Sequence, residues 1–167
     1  MTALLPPTAP PDGVDEFAWL AAWSAIRAYC EWHVTPSVTE TVTVDGSGGS
    51  VQFLPTLHLT ALTSITNDGA TVSDPEWSEA GMVRGAAWTS KFRGVEATMT
   101  HGYDDPPMEV VAVARNLAES AGAMPGARQI TSGPHSVTLT EAAQAGASAM
   151  SPAHHAVLDR YRIPHRP

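Results

Sequence analysis

Thr100-His101-Gly102-Tyr103-Asp104-Asp105-Pro106-Pro107 is where the chain changes its period. Before it, Val95 to Thr100 alternates as a strand does. After it, Val110, Val113, Ala114, Leu117 and Ala121 recur at helical spacing. Gly102 relaxes the backbone, Asp105 is placed to cap, and the prolines occupy a first helical turn that has no amide bonds to lose. The stretch predicts a strand, a turn and a helix over about 106–121, which Gly122 and Pro125-Gly126 end. A chain that passes from strand to helix in this way is α+β.

Upstream, Asp15 to His33 reads as a first helix, with Asp15 and Glu16 in its opening turn and Pro36 as its stop. Phe17, Leu20, Ala21, Ser24 and Ala28 share one face; Trp19, Trp23, Ile26 and Cys30 form a second apolar stripe. A helix this apolar around its circumference is buried on more than one side. The second side is either core or a subunit contact, with Trp19, Trp23 and Ile26 as the contact residues. Between the helices, Thr39 to Thr100 has a period of two. Thr39 to Val44 and Val51 to Leu54 read as a hairpin around the Asp45-Gly46-Ser47-Gly48-Gly49 loop. That loop opens no helix and lacks the lysine of a phosphate cradle. Further strands are predicted at Leu57 to Thr66, Ala70 to Val72, Glu76 to Ser78, Met82 to Arg84, Trp88 to Phe92 and Val95 to Thr100. Turns fall at Asn67-Asp68-Gly69, Ala80-Gly81 and Arg93-Gly94. The expectation is a small antiparallel meander or sandwich.

Downstream, Arg128 to Ala149 is loose apart from the alternating run His135 to Thr140. With no partner hairpin, that run must find a sheet edge in its own subunit or the next, so Ser136, Val137 and Thr138 are candidate inter-subunit residues. Ser151 caps a last helix, Pro152 to about Tyr161, and Pro164 ends it. Three turns are marginal alone, so this helix needs a docking surface. The expected organisation is an extended arm at 1–14, a core at 15–125, an extended arm or loop at 126–150, and a C-terminal helix at 151–167.

Nine basic residues stand against 17 acidic ones, a net charge of -8, which argues against a general grip on nucleic acid. An acidic surface lets DNA pass without sticking. Charged residues are only 16% of the chain, which suits a surface partly covered by neighbouring subunits. Cys30 is the only cysteine, which excludes an internal disulfide or a cysteine-based zinc site. The proline-rich start lacks the pattern of a signal peptide, and no run reaches the ~18 apolar residues of a membrane span. The reading is of a soluble protein made inside the cell.

Chemistry finds little support. Seven histidines invite a metal, but His154-His155 are adjacent, and His33, His58, His101 and His135 lie in separate elements with no HxxxH or HExxH pair. There is no GxSxG elbow, and Cys30 with His33 at i, i+3 on an apolar helix reads as packing. Asp104-Asp105 before Pro106 reads as capping. Trp77, Trp88 and Tyr103 could stack bases, but no basic groove accompanies them. The expectation is no catalytic, cofactor or metal site.

Three stretches carry a resemblance. Arg27-Ala28-Tyr29-Cys30-Glu31-Trp32-His33-Val34, running into Pro36 to Thr41, is similar to the first-helix exit of head-to-tail adaptor (connector) proteins of long-tailed actinobacteriophages. Thr100-His101-Gly102-Tyr103 with Pro107 resembles the strand-to-helix junction of that family. Ser132 to Thr138, then Leu158-Asp159-Arg160-Tyr161-Arg162, resembles its C-terminal arm. The resemblance spans about 15–163. The family pattern departs at Pro134-His135 and in the proline-rich start.

The resemblance implies a virion structural protein at the head–tail interface, made in the host bacterial cytoplasm. It would form a ring, usually of twelve copies, beneath the portal protein, with a connector or stopper on the tail side and DNA passing through unbound. By position, Leu158, Arg160, Tyr161, Arg162 and Ile163 would face the portal, an aromatic and two arginines suiting an interface anchor. The alternatives are a small soluble binding module or a tail-completion factor.

Overall fold

The computed structural model describes residues 8–85, 87–122, 129–132, 135–138 and 150–164. In chain order these form α1 (Glu16–Cys30), β1 (Val38–Val44), β2 (Val51–Phe53), β3 (Leu59–Asn67), β4 (Ala70–Thr71), β5 (Glu76–Trp77), β6 (Met82–Arg84) and β7 (Val95–His101). Then come α2 (Met108–Gly122), β8 (Gln129–Ser132), β9 (His135–Thr138), α3 (Pro152–Leu158) and a 3-10 turn at Asp159–Tyr161. The class is α+β, with first, central and short C-terminal helices as the sequence predicts. The chain divides into two compact units. The helices belong to one, made of the chain up to Cys30 and Pro106–Arg162; strands β1 to β7 belong to the other, Glu31–Asp105 with the residues from Ile163.

In the helical unit, the Asp15 carboxylate accepts from the Ala18 amide and caps α1. Trp19, Trp23, Ile26 and Cys30, spaced four, three and four, are all buried, and the two indoles meet edge to face at 5.9 Å. Val110, Val113, Ala114, Leu117 and Ala118 of α2 are buried too, and α1, α2 and α3 pack together. This corrects the reading of α1. The stripe Trp19, Trp23, Ile26 offered as a subunit contact lies in the interior, because two indoles and an isoleucine bury the most apolar area. The opposite face, with Phe17 79% exposed, looks to solvent.

In the strand unit, one antiparallel sheet runs β1-β7-β3-β4 and a second runs β2-β6-β5. Asp68 and Gly69, both at positive φ, turn β3 into β4, as Asn67-Asp68-Gly69 announces. Gly81, at φ +72°, lies so close to the Leu54 and Thr56 carbonyls that a side chain would collide with them; it turns β5 into β6. The core joins both sheets: Leu54, Leu59, Ile65, Val83, Trp88, Val95, Ala97 and Met99. Its centre is β7, where Val95, Ala97, Met99 and His101 point inward at period two.

Three pairings differ from expectation. β1 and β2 make no hairpin: β1 pairs with β7 from Val38↔His101 to Val44↔Val95, and β2 pairs with β6. The glycine-rich loop instead carries the chain between sheets. Buried Gln52 accepts from the Ser47 amide and donates to the Asp45 carbonyl, and Gly46 and Gly48 donate to Lys91 and Thr89. Trp88 to Phe92 forms no strand, since its backbone serves that loop. Finally, β9 has a partner in its own chain, β8, from Gln129↔Thr138 to Ser132↔His135.

Candidate functional site

Two constellations stand out, one in each unit. In the helical unit the last helix ends in a clasp. Ser151 and His154 form a reciprocal capping box, with Pro152 in the first turn. Leu158 is fully buried and ties α3 into the interior, so it offers no exposed surface. Tyr29 donates its hydroxyl to Asp159, its ring stacks on His155 at 4.8 Å, and the Arg162 guanidinium lies 5.2 Å over the same ring. Tyr161 donates to Glu109 at the start of α2. The hydrogen bond to Asp159 holds the Tyr29 hydroxyl up, and that from Tyr161 holds the Glu109 carboxyl down. Arg160 and Arg162 are exposed, and Tyr161 is half-buried.

Ile163 falls in the strand unit. It lines a shallow groove of about 340 Å³ with Glu31, Val44, Phe53, Leu54, Pro55 and Pro164. Ser136, Val137 and Thr138 lie on β9 opposite Thr131, Ile130 and Gln129. Cys30 is sealed in the helical interior, where burial pushes its thiol up to about 12, so it is no nucleophile at neutral pH.

The second constellation was missed in the sequence. Val34, at φ +59°, and Gly102, at φ +98°, fold the segment after α1 against the end of β7. The Tyr103 amide donates to the Val34 carbonyl, and the Thr35 hydroxyl donates to the Tyr103 carbonyl. This brings together two residues 68 positions apart: the His33 Nε2 lies 3.2 Å from the His101 carbonyl, with ring centroids 4.3 Å apart at 88°. Glu40 lies on β1 two residues beyond Val38, the cross-strand partner of His101, and its carboxylate is 3.0 Å from the His101 Nε2. Burial pushes His33 down to about 4, with His101 nearby adding to it, and burial lowers His101 too, against the pull of Glu40. Trp32 walls the group, 5.7 Å from the His33 ring and 6.5 Å from that of His101. Separately, His58 stacks on Tyr103 at 4.1 Å and pairs with Glu79. The missed signal was Gly102 after His101, a glycine that lets the backbone close on a partner.

No known protein family and no curated protein matches the chain. Solved structures do. A chain from the neck of a native GTA (gene transfer agent) particle, computed with C12 symmetry, aligns with a TM-score of 0.62 at 17% identity, covering 98% of this chain and 94% of that one. A chain from the neck of an empty GTA particle, computed with C6 symmetry, gives 0.52 at 18% identity with the same coverage. The fold, over nearly the whole chain, is thus one found in the neck of phage-like particles, in keeping with the resemblance to head-to-tail adaptors.

Proposed function

We propose that this chain is a structural protein of a virion neck, one subunit of a ring that joins head to tail and leaves a channel for DNA. The observation that carries the reading is the fold shared with a GTA neck chain over 98% of the sequence. The C12 and C6 symmetries of the neighbours support a ring of like subunits, with twelve as its copy number. Its partners are copies of itself, a portal protein on the head side and a connector or stopper on the tail side. It works by assembly and not by catalysis.

On this reading Arg160, Tyr161, Arg162 and Ile163 meet the portal, and Leu158 holds their helix in place from within. The clasp on Tyr29 and Glu109 presents the arginines at little entropic cost, which suits an anchor. Subunits touch through the solvent face of α1, where Phe17 stands exposed, and through the β8–β9 ribbon with Ser136, Val137 and Thr138. A two-stranded sheet is marginal in water. Among the described residues no third strand joins this one, so a neighbouring subunit supplies its support.

The test is to mix the protein with the portal encoded beside it and image the mixture by negative-stain electron microscopy. A ring added to one end of the portal, matching its symmetry, supports the reading. A bare portal beside a monomeric protein overturns it in favour of a tail-completion or ligand-binding role.

A further inference from the structure

We propose that His33, His101 and Glu40 form a binding site for one divalent transition-metal ion of the zinc, cobalt or nickel class. One ligand atom from each lies within 4.8 Å of the other two. Two imidazoles and a carboxylate make the N2O donor set that suits these borderline ions, with a fourth position left for water.

The surroundings are built for such a site. Both histidines are buried and Glu40 is half exposed, so an ion reaches the ligands past a movable carboxylate while Trp32 keeps the far side dry. The His101 Nε2 is engaged by Glu40, whereas its Nδ1 is buried with no hydrogen-bond partner. The Nε2 that faces Glu40 is therefore the atom placed to share an ion with that carboxylate.

The backbone around the site is also unusual. Val34 is β-branched and buried, yet sits at positive φ beside His33. At Gly102, a side chain would collide with the His33 Nε2 and the Pro36 carbonyl. Strain of this kind persists where surrounding structure over-determines it, and it gathers at functional sites. Bound zinc at ~2.1 Å from each ligand needs donors roughly 3.4 Å apart, so the set closes by side-chain rotation, chiefly at Glu40. In the assembled protein, the ion would pin the segment after α1 to the end of β7.

The experiment uses the full chain, tag removed and stripped with chelator, titrated with zinc chloride by calorimetry and thermal melting. Cobalt chloride then serves as a spectroscopic probe of ligand number. One ion per chain is expected, with a raised melting temperature. Glu40→Gln, a near-isosteric change at a half-exposed position whose fold is checked by circular dichroism, should weaken binding at least about tenfold. His33→Gln should abolish binding, while His58→Gln leaves it unchanged. Absence of binding at micromolar zinc overturns the proposal. So does affinity unaltered by Glu40→Gln and His33→Gln, which would assign the ion to other histidines. Because the readout is the isolated chain, neither result depends on the neck assignment.

Discussion

Three residues show how much the local environment sets chemistry here. Cys30 is fully buried, and desolvation holds its thiol far from ionisation. It should resist a thiol reagent at neutral pH in the folded protein and react at once in denaturant; rapid labelling of the native chain would show that α1 opens. Gly102→Ala would set a methyl against His33 and Pro36 at a backbone angle that alanine avoids. A loss of at least about 2 kcal/mol in a urea titration is expected. His33 gives the metal-free protein an acid sensitivity. Its folded value of about 4 lies below the ~6.5 of an unfolded chain, so the unfolded state binds the proton first as pH falls. Stability should hold above about pH 6.5 and decline by on the order of 2 kcal/mol toward pH ~4. Urea midpoints across that range should flatten in His33→Gln.

At the scale of elements, α3 shows how a short helix survives. Seven residues cannot stand alone in water, so a cap at one end and a buried leucine at the other must hold them. Ser151→Ala should cost about 1 kcal/mol, and Leu158→Ala about 2–5 kcal/mol, read as shifts in denaturation midpoint. That contrast also explains what could be read in advance. Elements whose signal is local were legible: the capping serine, the helical spacing after Pro107, and Asn67-Asp68-Gly69 at the β3–β4 turn. Pairing between distant strands was not. Thr39–Val44 and Val51–Leu54 look like a hairpin to any local rule, yet β1 finds a seven-residue match in β7 and Gln52 anchors the loop between sheets. The faces of α1 were separable by periodicity, but which of them faces the core depends on what α2 and α3 present. The histidine group was invisible for the same reason: His33 and His101 meet only once β1 and β7 are in register.

At the scale of the whole molecule, net charge and the exposed arginines pull in different directions. The chain carries -8 overall, so a subunit has no general affinity for a polyanion. Arg160 and Arg162 nevertheless stand exposed just after the last helix, where they suit an acidic or aromatic partner surface. Truncating 151–167 would blur any test of that role, because it removes Leu158 from the interior along with the arginines. The double variant Arg160→Ala, Arg162→Ala leaves the core intact and should lower portal attachment by roughly tenfold or more, the scale of a lost charged anchor. The same variant should leave DNA behaviour untouched: neither it nor the parent should shift duplex DNA in a gel at physiological salt. DNA retained by the parent and released by the variant would make the arginines a phosphate contact instead of a portal anchor. Retention that weakens steeply with salt in both would locate a basic surface elsewhere in the chain.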